Sequence, residues 1–358
     1  MLKDREGHEI RIAQEGNGHM LVYGKSGQGK TYFLCRMLEK YCEEGKKVLI
    51  IDYSGSYLHK ELQEKGFQHL KNVKRYTVSE YGVSWQFRVH DNEKFQKDVT
   101  DALLEVLKCG GYFQKKLLGD AVGKIVQKGE RVNLPKVMEE LRKMLLEEEK
   151  TEETLGNKEN IGKLLTRLAP YEDMKNFNIE KGKTGDENIV PITIFDLVDF
   201  PEGQRKFLAE FMTSLLWHET YRQEFRNHCD VLLLDEMQFL SIREGSTLFS
   251  MLREGRIKGM EVVLSTQFIS HYDKAEIQAL QQADNMMIFS PTPEDCKRSA
   301  KIIDSVEGKS WEKILQGLKK GEAVLKGNYR VDGRSRVSFD PIVVRILESC
   351  AENRVKKI

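Results

Sequence analysis

The feature that most constrains the fold is the octapeptide GKSGQGKT at residues 24–31. It follows the apolar run HMLVY and precedes a stretch of helix-forming residues. A strand, a glycine-rich turn and a helix in this order bring unpaired backbone N–H groups into one concavity, and the helix start adds partial positive charge. Gly24, Gly27 and Gly29 can adopt backbone angles that other residues disfavour. The octapeptide therefore predicts an anion site at the end of a buried strand.

The same octapeptide meets the pattern G-x-x-x-x-G-K-[ST], which is typical of a triphosphate-binding loop. In that pattern Lys30 reaches the outer phosphates and the Thr31 hydroxyl is a ligand of Mg²⁺. A glycine-rich turn that binds nothing is the alternative. We expect ATP and Mg²⁺ as cofactors. The predicted nucleotide contacts are the eight residues of the loop: Gly24, Lys25, Ser26, Gly27, Gln28, Gly29, Lys30 and Thr31.

Composition narrows the class of protein. The chain has 358 residues, of which 40% are hydrophobic and 32% charged, as in an ordinary soluble protein. A net charge of +1 argues against a uniformly basic nucleic-acid coat but permits a local basic channel. The six cysteines are scattered without a C-x-x-C pair, which favours reduced thiols. With no signal peptide or long apolar run, the sequence predicts a cytoplasmic protein without membrane contact.

Strand and helix patterns alternate along much of the chain, which predicts an α/β fold. We expect a RecA-like doubly wound, mostly parallel sheet with helices on both faces and a helical insertion. HEIRIAQ reads as an edge strand, and GEAVLKGNY and SRVSFDP as a last pair of strands. The predicted core strands are HMLVY, VLIID, ITIFD, VLLL, EVVLST and NMMIF.

Helical periodicity dominates from Asp91 onward, with a Gly110-Gly111 break and a later helix capped by Asn133. This part reads as a helical insertion that interrupts the core. The predicted divisions are 1–90 for the first part of the ATPase core, 91–186 for the insertion, 187–345 for the rest of the core and 346–358 for a C-terminal tail.

The run VLLLDEMQ delivers two carboxylates to the end of an apolar strand. Asp235 is placed to hold the Mg²⁺ shell, and Glu236 to orient or deprotonate an attacking water. A later strand ends in Ser265-Thr266-Gln267, so Gln267 is a candidate contact for the γ-phosphate and that water. Acidic or polar residues that simply end strands are the structural alternative. The sequence therefore predicts NTP hydrolysis at the edge of the sheet where these strands end.

Arg253 and Arg256 lie three residues apart and share one face of a helix or of its C-terminal turn. A solvated basic patch is the ordinary explanation. The other is an arginine that stabilises charge on the phosphoryl group bound by a neighbouring subunit, which can be worth roughly 10³–10⁵ in rate. The second explanation requires an oligomer.

Several motifs together resemble those of the HerA–FtsK superfamily of P-loop motor ATPases, most closely its HerA and conjugation-type branch. They are GHMLVYGKSGQGKTYFL, VLIIDYSGSY, IFDLVDF, DVLLLDEMQFL, REGRIKGMEVVLSTQ and LKKGEAVLKG, in that order. The resemblance implies nucleotide and Mg²⁺ binding at Lys30 and Thr31. It also implies an acidic motif at Asp235 and Glu236, a polar sensor at Gln267 and an intersubunit arginine at Arg256 or Arg253.

The resemblance further implies a homohexameric ring that threads DNA through a central channel. Candidate partners are therefore other copies of the chain, DNA, and a nuclease or other effector protein. Two departures are that residues 1–18 are too few for the usual N-terminal β-barrel, and that Gln28 stands where serine is usual. Loops near Lys71–Arg75 and Lys181–Lys183 are candidates for contacts with DNA.

Two other functions stay open. A monomeric two-lobed helicase would share the DEMQ and STQ motifs, but residues 270–358 are short for a second lobe. A nucleotide-gated assembly or scaffold ATPase would use ATP to hold a ring together. The leading hypothesis is an ATP-hydrolysing DNA translocase.

Overall fold

The structure is a computed structural model that divides into two compact units. It describes residues 1–13, 16, 18–67, 70, 73–81, 91–148, 155–174, 177–179, 191–222, 229–332 and 336–347. The first unit, called here the sheet unit, comprises Met1–Arg75, Val190–Ile194 and Arg226–Ile358. The second, the helical unit, comprises Tyr76–Ile189 and Phe195–Phe225.

The strands of the described residues form one sheet, and they are numbered in chain order. β1 to β12 are Leu2–Asp4, Glu9–Ile12, Met20–Tyr23, Val48–Asp52, Val73–Thr77, Ile192–Asp196, Val231–Leu234, Glu261–Thr266, Asn285–Phe289, Glu322–Lys326, Tyr329–Val331 and Ile342–Ile346. Their spatial order is β11-β2-β1-β12-β10-β9-β3-β8-β7-β4-β6-β5.

The helices are also numbered in chain order. Those of the sheet unit are α1 Lys30–Glu43, α2 His59–Glu64, α9 Thr247–Glu254, α10 Lys274–Leu280, α11 Pro293–Ile303 and α12 Gly308–Gln316. Those of the helical unit are α3 Val78–Tyr81, α4 Asn92–Val106, α5 Tyr112–Gln127, α6 Leu134–Glu148, α7 Leu155–Leu168 and α8 Glu202–Arg222.

The centre of the sheet is parallel, and its register places the predicted site residues at one edge. In the paired strands Tyr23 lies opposite Thr266, and Leu234 lies opposite both Leu264 and Ile51. Parallel strands point their carboxyl ends the same way, so the residues that follow them meet at that edge. The α/β fold with this parallel core is confirmed.

Both faces of the central strands are buried. Met20, Val22 and Leu233 belong to a core that includes Phe33 and Leu38 of α1. The alternate residues Leu21, Leu232 and Leu264 are also almost inaccessible. Side chains alternate between faces along a strand, so the sheet is covered on both sides, as expected for parallel strands. Each fully buried large side chain contributes roughly 1.5–3 kcal/mol, and this packing holds the edge in place.

Five antiparallel pairings extend the sheet beyond β9, and part of this extension differs from the prediction. β2, expected at an edge, is covered by β11, and β1 and β12 pair with each other. In SRVSFDP, Ser338 makes only an isolated bridge with Tyr329, and the last strand begins after Pro341. Proline cannot donate a ladder hydrogen bond, and the β-branched run after it is the better strand former.

The helical unit agrees with the predicted patterns where it is described. α4 ends before the Gly110-Gly111 break and α5 begins directly after it. Asn133 caps α6 by accepting a hydrogen bond from the Lys136 amide at 2.9 Å. Residues 82–90, 180–190 and 348–358 lie outside the described residues, so the divisions expected at 90/91 and 186/187 and the tail remain predictions.

None of the helices formed by the described residues combines the length and apolar character of a membrane-crossing segment.

Candidate active site

The phosphate loop lies at the carboxyl edge of β3 in a backbone conformation that requires glycine. Gly24 has φ 141° and Gly29 has φ 114°, both outside the range that other residues favour. A Cβ at Gly24 would lie 2.8 Å from Cβ and from the carbonyl oxygen of Phe289. Gly24 therefore cannot carry a side chain without displacing β9.

Two backbone hydrogen bonds tie the phosphate loop to the residue that follows β9 and to the residue that precedes β10. The Lys25 amide donates to the Ser290 carbonyl at 3.0 Å, and the Gly321 amide donates to the Gln28 carbonyl at 3.0 Å. Gly29 is the N-cap of α1 and makes no side-chain cap, and the first turn holds no acidic residue. The amides at this helix start are thus available to an anion, which fits the triphosphate predicted from the sequence.

Lys30 is folded back on the loop. Its Nζ donates to the carbonyl oxygens of Gly24 at 2.6 Å and Lys25 at 3.0 Å, and the residue is 9% exposed. Burial lowers the pKa of Lys30, while the negative charges of Glu236 and Asp235 act in the opposite direction. An ammonium group has three donors, so one remains for a phosphate oxygen.

Asp235 follows the buried strand β7 and is itself buried. Burial raises the pKa of Asp235, and a hydrogen bond from the Ser265 hydroxyl partly offsets this rise. A carboxylate and a hydroxyl are oxygen ligands of the kind that Mg²⁺ binds, and Mg²⁺ usually keeps several waters besides. Thr31, in the first turn of α1, and Asp235, after β7, carry oxygen atoms of this kind, and their binding of Mg²⁺ stays a prediction.

Glu236 adopts the left-handed conformation, with φ 60° and ψ 42°. Among the described non-glycine residues, only Lys108 shares a positive φ. The Gln267 side-chain amide donates to Oε1 of Glu236 at 2.9 Å. The structure thus brings Glu236 and Gln267 together. The left-handed backbone of Glu236 is strained, and strain of this kind is common at functional sites.

Two polar residues that sequence reasoning missed complete this cluster. Gln238 lies in the 3₁₀ turn Met237–Phe239, and its side-chain amide donates to Oε2 of Glu236. Its Oε1 lies 3.0 Å from the hydroxyl of Thr266, the last residue of β8. The available signals were a polar residue two positions after Glu236 and a hydroxyl at a strand end, neither of which is specific.

Asp52, at the end of β4, accepts hydrogen bonds from the backbone of the turn that follows it. Its carboxylate accepts backbone N–H bonds from Gly55 at 2.8 Å, Ser56 at 3.1 Å and Tyr57 at 3.0 Å. These bonds shape the turn after β4. The adjacent Tyr53 ring stacks on Phe239 with centroids 4.6 Å apart, which ties this turn to the one that contains Gln238.

The two arginines lie between β7 and β8 in the chain but away from the carboxyl edge of the sheet. Arg253 is exposed in the last turn of α9, with its guanidinium over the Phe249 ring at 5.5 Å. Arg256 is exposed in the turn that leads into Glu261, the first residue of β8. Because β8 carries Gln267 at its other end, this turn lies at the amino edge, roughly 20 Å away at about 3.3 Å per residue.

Two basic segments were predicted to be loops that contact DNA. Lys71 and residues 181–183 lie outside the described residues. Lys74 and Arg75 belong to strand β5, so the prediction of a loop at these two residues was wrong. Arg75 donates to the Tyr57 carbonyl at 2.7 Å, which gives it a partner within the sheet unit.

Comparisons with known proteins agree with this fold. The family model described as "Helicase HerA, central domain" matches residues 9–216, more than half of the chain. VirB4 of Thermoanaerobacter pseudethanolicus superposes with a TM-score of 0.66 at 16% identity, over 98% of this chain and 96% of that one. No curated protein matches the sequence.

The plasmid coupling protein TrwB gives a similar result. Its complex with GDPNP superposes with a TM-score of 0.66 at 14% identity, over 92% of this chain and 86% of that one. Its complex with ADP and Mg²⁺ has the same TM-score at 13% identity, with the same shares covered. These likenesses concern the fold. Together with the family match, they show that the chain belongs to the HerA central-domain family, within the HerA–FtsK superfamily of P-loop ATPases.

Proposed function

We propose that this protein hydrolyses ATP with Mg²⁺ and uses the energy to move DNA through a homohexameric ring. The observation that carries the proposal is the 2.9 Å hydrogen bond from Gln267 to Glu236 at the sheet edge that also bears the phosphate loop. Family membership supports the motor part of the proposal. A nuclease or another effector protein is the proposed recipient of the motor's work.

In this proposal each residue of the edge has one role. The loop residues 24–31 bind the triphosphate through backbone amides, and Lys30 contacts its outer phosphates. Thr31 and Asp235 would hold Mg²⁺, which neutralises charge on the phosphates when bound. Glu236 accepts a proton from the attacking water, and Gln267 orients that water and contacts the γ-phosphate.

Arg256 acts in this proposal on the nucleotide of a neighbouring subunit. The turn that bears Arg256 precedes β8, whereas Glu236 follows the carboxyl end of the parallel strand β7. A separation of roughly 20 Å along the strands exceeds the reach of an arginine side chain. A ring of heterologous contacts presents one edge of each subunit to another surface of the next, so an exposed Arg256 can complete its neighbour's site.

Arg253 is the weaker candidate for that role, because its guanidinium lies over the Phe249 ring of its own helix. DNA in the ring would be held by basic side chains of the channel. The net charge of +1 allows such a channel, and DNA affinity should fall steeply with salt.

The test is a mixing experiment with Glu236→Gln and Arg256→Ala. We expect each variant alone to bind ATP but to hydrolyse it at least about a hundredfold more slowly than wild type. A mixed ring contains interfaces with an intact Arg256 on one side and an intact Glu236 on the other, so mixing should restore part of the rate. Arg11→Ala, at another exposed arginine, is the control and should retain turnover.

The remaining measurements separate the proposed motor from its alternatives. Solution mass with and without ATP gives the subunit count, and turnover with and without duplex DNA tests coupling. Full turnover by a monomer would favour a two-lobed helicase and remove action in trans. A ring whose ATPase rate ignores DNA would favour an assembly or scaffold ATPase.

A further inference from the structure

Both oxygens of the Glu236 carboxylate are held by side-chain amides. Gln267 donates to Oε1 at 2.9 Å, and Gln238 donates to Oε2. An ionised carboxylate offers about four acceptor sites, so each oxygen still has room for one further donor. The two amides therefore fix the plane of the carboxylate and leave it able to accept a proton from water.

The Gln238 side chain has a partner at each end. Its Oε1 lies 3.0 Å from the Thr266 hydroxyl, whose one proton can go to Gln238 or to the Phe268 carbonyl, also 3.0 Å away. The carboxylate of Glu236 can only accept, so it selects the NH₂ end of the amide and leaves the carbonyl end for Thr266. A single glutamine thus links the turn after β7 to the last residue of β8.

The backbone around Gln238 is held by packing and hydrogen bonds. Met237 is fully buried, and the Phe239 ring stacks on Tyr53. Glu236 has a left-handed backbone, and its own amide donates to Oδ1 of Asp235 at 3.1 Å. The side chains at 236 and 238 therefore face each other because the turn is anchored on both sides.

We propose that Gln238 is a positioning residue for hydrolysis, one that holds Glu236 in place and couples it to Thr266 at the end of β8. The inference rests on the proposed function of Glu236. In that function Gln267 also contacts the γ-phosphate and the water. Gln238 is assigned neither contact, and its bond to Oε2 keeps the carboxylate oriented during turnover.

The experiment compares steady-state ATP hydrolysis by wild type, Gln238→Met, Thr266→Val and the double variant. Methionine keeps the length of glutamine and removes its hydrogen bonds. Gln63→Met, the same change at an exposed position of α2, is the matched control. We expect kcat of Gln238→Met to fall about tenfold or more, the effect of losing a hydrogen bond to a charged group, with KM for ATP little changed.

Thr266→Val should lower kcat less than Gln238→Met does. Its effect should be smaller in the Gln238→Met background than in wild type, because the part that acts through the glutamine is already lost there. Binding of a non-hydrolysable ATP analogue and the thermal midpoint should match wild type in both single variants. The kcat effect of Gln238→Met should also vanish in the Glu236→Gln background, where no carboxylate remains to be aimed.

Three results would overturn the inference. They are wild-type turnover in Gln238→Met, faster turnover in that variant, and a loss of rate that tracks a lower thermal midpoint and adds to that of Thr266→Val. Failure of the proposed function looks different. There the wild type lacks turnover, or Glu236→Gln retains it, whatever residue stands at 238.

Discussion

The protonation of His19 offers a prediction whose size follows from the structure. His19 immediately precedes β3, the strand that leads into the phosphate loop, and is 0% exposed. Its Nδ1 accepts a hydrogen bond from the Val262 amide at 2.9 Å, which requires that nitrogen to be unprotonated. A Cβ at Gly255 would lie 2.9 Å from Cε1 of His19, so the turn that bears Arg256 packs closely against this ring.

Burial lowers the pKa of His19 to about 4, despite opposing contributions from the Asp284 charge and the Met251 carbonyl. In the unfolded chain the group titrates near its ordinary value of 6.5. Between these values the unfolded state binds a proton that the folded state does not, so stability falls as pH falls from 6.5 toward 4. The difference gives a loss of about 2 kcal/mol at pH 5 relative to pH 7.5.

The assay is native-state hydrogen exchange of the β3 and β8 segments between pH 7.5 and 5, corrected for the intrinsic exchange rate. His19→Asn keeps an acceptor for the Val262 amide but cannot gain a proton. We expect the free energy of opening in wild type to drop by about 2 kcal/mol more than in His19→Asn. His59→Asn, at an exposed helix start, should behave as wild type.

Parallel pH profiles for wild type and His19→Asn would refute the reasoning, since other titrating groups are common to both. A direct NMR titration of the His19 ring provides a second measurement that does not depend on the variant. A midpoint near 6.5 for that ring would also refute it.

Two further predictions concern the site itself. Gly24→Ala should weaken binding of an ATP analogue at least about tenfold, because the added Cβ would clash with Phe289. Gly45→Ala is the control, since Gly45 has φ 70° and no atom lies within 4 Å of the added Cβ. It should lower the free energy of unfolding in urea by only about 1 kcal/mol and leave analogue binding intact. Asp235→Asn should raise the thermal midpoint of the nucleotide-free protein at pH 7.5, since burial disfavours the charge, and should abolish hydrolysis. This gain should shrink as pH falls and the Asp235 carboxyl becomes protonated; a lower midpoint at pH 7.5 would contradict the sign.

Some of the site was readable from the sequence because its signals are local. A glycine-rich turn between an apolar strand and a helix fixes its own geometry within eight residues, and the helix expected after this turn is α1, which begins at Lys30. An apolar run followed by two acids likewise marks a strand end. Such signals depend on neighbours in the chain, which is why the phosphate loop and Asp235 were placed correctly at the carboxyl edge.

Other features were missed because they depend on distant partners or on weak local signals. α12 begins at Gly308, a residue that usually discourages a helix, and its formation depends on packing such as that of Leu315. Gln238 resembles any polar turn residue until β8 brings Thr266 beside it. Nothing near Gln238 in the sequence indicates that hydroxyl.

The amino-acid sequence by itself determined the phosphate loop, the order of strands and helices through the core, and the acidic end of β7, because backbone torsions and apolar periodicity act over a few residues. Only the tertiary structure decided that Leu2 pairs with Ile346 at the far side of the sheet. It alone decided that two amides grip Glu236 and that Arg256 lies at the opposite edge from its own phosphate loop. These arrangements depend on which surfaces pack together, and burial rewards that packing regardless of distance along the chain.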